Sequence, residues 1–217
     1  MLRSPQNFWL LVLVCGIAHA QAPELATVTF TLDFPGSRPS HYFVQVQADG
    51  KGHYESIGQI SSESEESDSF TYEFAVSPAT RDKIFEYSAK AGYFQKDLDS
   101  HRKNMAFTGR KTLAYKNAGR TSEATFNYSP DPTTQELTNL FQGLSATLEF
   151  GHRLEYFRRY QKLALDEEMK RMQESARTSP PVEIEAIAPI LEQLIADTGV
   201  TNITRARAQR LLDQSGR

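Results

Sequence analysis

The sequence predicts an α+β protein: a mostly antiparallel sheet of about six strands with one packed helix, followed by a C-terminal helical arm. Three observations predict it. Between residues 26 and 128, short runs alternate apolar and polar side chains, the period-two pattern of half-buried strands. Asp49-Gly50 joins two such runs, and glycine there accepts the positive φ that a tight hairpin turn needs. After Pro130 and Pro132 the apolar spacing changes to three and four residues, which is helical.

Residues 1–20 (MLRSPQNFWLLVLVCGIAHA) have the three parts of a secretory signal peptide. Arg3 gives the positive start, 8–17 the apolar run, and Ala18-His19-Ala20 the small-x-small cleavage site, so cleavage is expected before Gln21. A run of about ten residues is short of the roughly twenty that span a bilayer. Cys15 is the only cysteine, and Val14 stands before it where a lipidated cysteine takes a small residue. The mature chain then has no disulfide, thiol nucleophile or cysteine-bound zinc. That fits the periplasm or the outside of a bacterium better than a eukaryotic secreted domain. In that setting the sequons Asn127-Tyr128-Ser129 and Asn202-Ile203-Thr204 imply no glycan. Removing Arg3, the segment's only charge, from 24 basic and 27 acidic residues leaves a net charge of −4, a poor match for nucleic acid. With 13 Phe and 9 Tyr the chain can fill a core, which excludes wholesale disorder.

The first strand lies in ATVTFTLDF, with Val28, Phe30, Leu32 and Phe34 on one face. Tyr42, Val44 and Val46 mark the second, residues 52–57 the third, and Phe70, Tyr72, Phe74 and Val76 the fourth. Between the last two, residues 61–69 (SSESEESDS) cannot bury apolar surface and read as a solvated loop. Ser77-Pro78 opens a helix, with a capping hydroxyl before a proline that loses no hydrogen bond. Its Ile84, Phe85, Ser88 and Ala91 should face the sheet, Gly92 should end it, and Tyr93-Phe94 should anchor in the core. Residues 95–109 have no period and read as a long loop; 111–116 and 122–128 make a second hairpin. The signal peptide, a sheet domain over 21–132 and a helical region over 133–217 complete the division.

Leu137, Leu140, Phe141, Leu144 and Leu148 place a helix over 134–150. The spacing runs on through Leu154, Phe157, Tyr160 and Leu163 to about residue 176, with Gly151 as the place for a kink. A helix of that length spans about 60 Å, so its second half must be buried by the C-terminal segment or by a partner, including a second copy. Ser179-Pro180-Pro181 is a break, and 183–197 and 202–213 form two further amphipathic helices.

Chemistry-bearing patterns are few. His41, His53, His101 and His152 form no H-x-H or H-E-x-x-H ligand pair. His41 and His53, at the open ends of the first hairpin, are a candidate pair against the commoner reading of exposed sheet histidines. Asp97, Asp99 and His101 alternate as calcium loops begin, and are the candidate metal ligands. The run lacks the glycine and distal glutamate of an EF-hand and is flanked by Lys96, Arg102 and Lys103, which favours a solvated loop. Glu63, Glu65, Glu66 and Asp68 offer a cation or a basic partner a surface, against a solubilising connection. No G-x-S-x-G, S-x-x-K, G-x-G-x-x-G or phosphate-loop pattern occurs, and no cofactor is expected. His152, Arg153, Arg158, Arg159 and Lys162 make a basic stretch interleaved with Tyr156, Phe157 and Tyr160. Arg153, Phe157, Arg158 and Tyr160 are its candidate partner contacts, although Glu155 four residues before Arg159 favours pairing within the helix.

The run Tyr42-Phe43-Val44-Gln45-Val46 to Asp49-Gly50-Lys51-Gly52-His53-Tyr54-Glu55 resembles a family of exported proteins of soil-type bacteria. The Ser77-Pro78 helix, Thr108-Gly109-Arg110-Lys111-Thr112-Leu113 and Leu148-Glu149-Phe150-Gly151-His152-Arg153-Leu154-Glu155 look like the same group. The likeness covers most of the mature chain, but its motifs are structural punctuation. The family has no assigned activity, so it supplies no functional residues. The reading favoured is a non-enzymatic binding or structural module of the bacterial envelope. Its rivals are a hydrolase or metal-dependent enzyme with its site in the 95–109 loop, and a membrane-surface protein acting through 152–162.

Overall fold

The computed structural model describes residues 25–60, 67–176 and 181–215. The signal segment, Glu63, Glu65, Glu66 and Ser179-Pro180 lie outside the described residues. Six strands form one antiparallel sheet: β1 (Thr27–Asp33), β2 (His41–Gln47), β3 (Lys51–Gly58), β4 (Asp68–Ala75), β5 (Arg110–Asn117) and β6 (Arg120–Phe126). Their order is β4-β3-β2-β1-β5-β6. The first strand is therefore central: a meander builds out on one side, and the second hairpin returns to the other. Burial alternates residue by residue in β1 and β2, as the period-two pattern requires. Phe30 lies in register between Val44 and Leu113 at the centre of the buried face. Gly50 takes φ +88° in the β2–β3 turn, a conformation that strains any other side chain.

The first helix begins where Ser77-Pro78 predicts, and the long helix starts two residues ahead of the expected 134. In α1 (Pro78–Lys90) the Ser77 hydroxyl accepts from Thr80 N at 3.2 Å; in α2 (Pro132–Tyr160) the Asp131 carboxylate accepts from Thr134 N at 2.8 Å. Each fills one donor that a helix start leaves open, worth about 1 kcal/mol. The main cover of the sheet is α2, through the fully buried Leu137, Phe141, Leu144 and Leu148. Phe141 stacks on Phe30, ring centroids 5.4 Å apart. Ile84, Thr80 and Ser88 are the buried residues of α1, while Phe85 and Ala91 only border the core. Phe94 is buried beyond α1.

The long apolar pattern after residue 134 is two helices, α2 and α3 (Ala164–Ser175). They separate at residues 161–163, where Gln161 leaves helical geometry (φ −144°, ψ 62°), and not at Gly151. Gly151 is a contact point: a Cβ there would sit 2.6 Å from Ile187 Cγ2. A glycine with its helical hydrogen bonds intact does not bend a helix; here it lets a neighbour approach. Tyr160 and Leu163, counted in the apolar spacing, are 70% and 92% exposed, so the stripe has already ended at Phe157.

A short 3-10 turn (Ile184–Ile187), α4 (Ala188–Ala196) and α5 (Asn202–Ser215) close over the second half of α2 and over α3. Ile187, Leu191, Leu194 and Leu211 are buried there with Leu154, Leu165 and Met169. The burial that the long pattern demanded is thus supplied within the chain. Sheet and helices share one contiguous core, so the change at residue 132 is one of secondary structure inside a single packed unit.

Candidate functional site

Because α1 and α2 pack on one face of the sheet, the odd-numbered residues of β1, β2, β3 and β6 and the even-numbered residues of β5 form the other. Among the described residues no helix covers it. Thr27, Thr29 and Thr31 run along β1 and Gln45 and Gln47 lie beside them on β2, all partly buried by their neighbours. On the other side Ala114 lies opposite Thr29, flanked along β5 by Thr112 and Lys116. The face is concave around Thr27, Thr29, Gln45, Gln47, Ala114 and Thr121, where it encloses about 910 Å³. Lys116 and Glu123 are the ionised side chains that line this hollow, one of each sign. The rest of its polar lining is hydroxyl and amide, donors and acceptors without formal charge.

The outward histidines lie toward the ends of this face, apart from each other. His41 Nδ1 bonds Asp33 at 2.7 Å, and Arg110 Nη2 bonds the same carboxylate at 3.1 Å, which holds Asp33 below the usual carboxylate range. His53 is held between Glu55 and Glu73, first by hydrogen bonding to Glu55, and its pKa is raised. In the strand register His53 faces Gln45 while His41 faces Ile57, so the two do not converge on one ligand.

The 95–109 loop spends its acids on itself. Asp99 accepts from Asn127 N at 2.6 Å and His101 N at 2.7 Å, and Asp97 accepts from Asp99 N and bonds His101 Nε2 at 2.5 Å. These contacts lower both aspartates, Asp97 mainly through His101 and Asp99 mainly through the Asn127 amide. They fix the loop's own turns, and His101 and Asp97 stay exposed. Among the described residues no group of three or more His, Cys, Asp or Glu is arranged to hold a metal ion.

Three of the four candidate partner contacts are engaged within the fold. Arg153 Nε donates to the buried Glu168 at 2.6 Å, Phe157 is in the core, and Arg158 Nη2 donates to Gln193 at 2.8 Å. Arg159 pairs with Glu155, as the four-residue spacing implied, and Lys162 bonds Asp197 at 3.1 Å. Tyr160 alone of the four projects into solvent. A stretch that reads as basic in sequence is thus largely engaged within the fold, Arg153, Arg159 and Lys162 by carboxylates and Arg158 by a neutral amide. Among the described residues no helix is long and apolar enough to cross a membrane.

One polar cluster was not anticipated. Ser145, Glu149 and His152 follow a helical step down the inner face of α2 and meet β3 and β4. The Tyr54 hydroxyl donates to Glu149 Oε1 at 2.8 Å and lies 2.9 Å from Ser145 Oγ, while Ser56 Oγ donates to Glu149 Oε1 at 2.6 Å. Burial pushes both Tyr54 and Tyr42 upward, so both are neutral phenols. His152 stacks flat on Phe70 with centroids 3.9 Å apart, and its Nε2 lies 3.3 Å from Asp68 Oδ2. The signal for this cluster was period: Tyr54 and Ser56 fall on the inner face of β3, and residues 145, 149 and 152 on one face of α2.

Burial lowers the His152 pKa, against the opposing pull of Glu149, Asp68 and Glu155 and with some help from Arg153. A histidine depressed in the fold stabilises it fully above the unfolded value of about 6.5, and loses that contribution as pH falls through and below it. Comparing wild type with His152→Phe, which keeps an aromatic ring on Phe70, isolates this effect from the raised His53 and His101. Urea unfolding at pH 7.5 and 5.5 should show the wild type losing more stability than the variant on acidification. Equal losses would show that His152 does not titrate in this range.

No protein-family model matches the chain, and no curated protein matches it.

Proposed function

We propose that this is an exported, non-enzymatic binding module of the bacterial envelope whose binding surface is the uncovered face of the sheet, and that its ligand is a neutral, hydroxyl-rich polymer such as a polysaccharide chain. One observation carries the reading: a concave sheet face whose uncharged polar groups are mainly threonine hydroxyls and glutamine amides, set among Leu25, Ala114 and Tyr115, with two ionised side chains of opposite sign. Such a surface offers many directional hydrogen bonds and no net charge, so it favours a ligand that is itself uncharged and rich in donors and acceptors. Side chains held on strands cost little ordering entropy on binding. The signal-like segment at residues 1–20 supports export.

The test uses residues 21–217 and a panel of insoluble neutral glycans, with the retained fraction measured at 0.05 and 0.5 M NaCl. Retention should change little with salt, because screening acts on charged contacts. Ala114→Arg, on the floor of the hollow, should cut retention about tenfold, equivalent to about 1.4 kcal/mol, and leave thermal unfolding unchanged. No retention on any glycan of the panel, or retention that Ala114→Arg leaves intact, overturns the reading.

A further inference from the structure

On the opposite, helix-packed side of the sheet, Lys111 occupies an inward position of β5 and is 6% exposed. Its Nζ donates to Thr108 O at 3.1 Å, Thr108 Oγ1 at 3.0 Å, Gly109 O at 3.2 Å and Asn127 O at 2.9 Å. These oxygens replace the water shell of the ammonium group but bring no negative charge. Asp99 exerts a favourable pull from further off, yet burial wins and lowers the lysine's pKa. Buried charges are ordinarily paired with an opposite charge, because hydrogen bonds to neutral groups only partly offset desolvation.

The lysine also lines a cavity of about 180 Å³ between the β5–β6 end of the sheet and the first turns of α2. Thr108, Tyr128, Gln135, Asn139 and Gln142 belong to its polar wall. Gln135 Nε2 donates to the Tyr128 hydroxyl at 2.9 Å, which leaves that hydroxyl its own proton to give. Around Lys111 four acceptors share three ammonium protons. The Thr108 hydroxyl is the one acceptor among them with a proton of its own, which it gives to Asn127 Oδ1 at 3.3 Å and can turn onto a ligand.

We infer that this cavity is a binding site for a small carboxylate, which takes one Lys111 proton in place of the Thr108 hydroxyl and receives further hydrogen bonds from Thr108 Oγ1, Tyr128 and the Gln142 amide. A monoanion matches the single positive charge, and the cavity has room for a few heavy atoms and not for a large ligand.

The experiment is a titration of residues 21–217 with sodium acetate against sodium chloride at constant ionic strength, followed by backbone amide shifts. A parallel titration uses inorganic phosphate. Acetate should give saturable shifts centred on Thr108, Lys111 and Asn127 with a Kd of about 1–10 mM, the range open to so small a ligand. Chloride should give none. Thr108→Val, at an exposed position, and Gln142→Leu, at a half-buried one, should each weaken acetate about three- to tenfold. Linear or chloride-identical shifts, or unchanged affinity in both variants, would overturn the site. Tighter binding of phosphate than of acetate would overturn its assignment to carboxylates.

Discussion

Lys111→Met should lower the free energy of unfolding by about 2–4 kcal/mol, although it replaces a charged side chain on the core face with an apolar one of similar length. Methionine fills the space of the lysine stem, so little packing is lost. What is lost is the donor for Thr108 O, Gly109 O and Asn127 O, three backbone carbonyls gathered around one ammonium. Each acceptor left buried without a partner costs about 1–3 kcal/mol, and relief of the lysine's desolvation returns part of the sum. The loss should also be local. Residues 95–109 enter β5 through Thr108 and Gly109, and Lys111 ties that entry to Asn127 at the end of β6. Amide hydrogen exchange should therefore speed up first over residues 99–109 and 127, with the β2–β3 pair unaffected. Denaturant unfolding together with an exchange map tests this. A Lys111→Met protein of unchanged stability would mean that water satisfies those carbonyls, and that the lysine is not the clasp of the loop.

How much of this was legible depended on the kind of signal. The strands were, because alternation fixes both the period and the face: Val28, Phe30 and Leu32 point inward as their spacing says. The start of α1 was, because Ser77-Pro78 satisfies the same unfilled donors in any fold; Asp131 does the same for α2, although the apolar spacing alone set that start at 134. Lys111 was equally readable, since Leu113 and Tyr115 set the inner face of β5 and a lysine two residues earlier must share it. A buried lysine is so rare that composition argues it outward, and only the loop carbonyls it meets explain its place. The basic stretch of α2 shows the opposite failure. Arg153, Arg158 and Lys162 read as a surface because their partners, Glu168, Gln193 and Asp197, arrive from α3, α4 and the turn after it. No local pattern announces partners so distant in sequence. The uncovered sheet face was implied by polar alternation on β1 and β2, but alternation alone does not distinguish a concave binding face from a plain solvated one.

A chain ending at residue 176 should fail to persist as a dispersed folded protein. Residues 181–215 contribute Ile184, Ile187, Ile190, Leu191, Leu194 and Leu211 to the core. At about 1.5–3 kcal/mol for each such side chain, their removal costs roughly 10 kcal/mol or more, as much as the whole stability of a typical domain. It also uncovers Leu154, Phe157, Leu165 and Met169 and removes Asp197 from Lys162 and Gln193 from Arg158. Light scattering on residues 21–176 should show association that residues 21–217 lack at the same concentration, with apolar dye binding to match. A milder version separates packing from truncation: Leu191→Ala in the full chain should cost about 2–5 kcal/mol without changing the mass in solution. If residues 21–176 instead keep the mass per chain and the thermal midpoint of the longer protein, the C-terminal helices are a removable cover. The apolar second half of α2 would then be a surface that the protein can expose, and the choice between self-cover and a partner, open from the spacing of Leu154, Phe157 and Leu163 alone, would turn toward a partner.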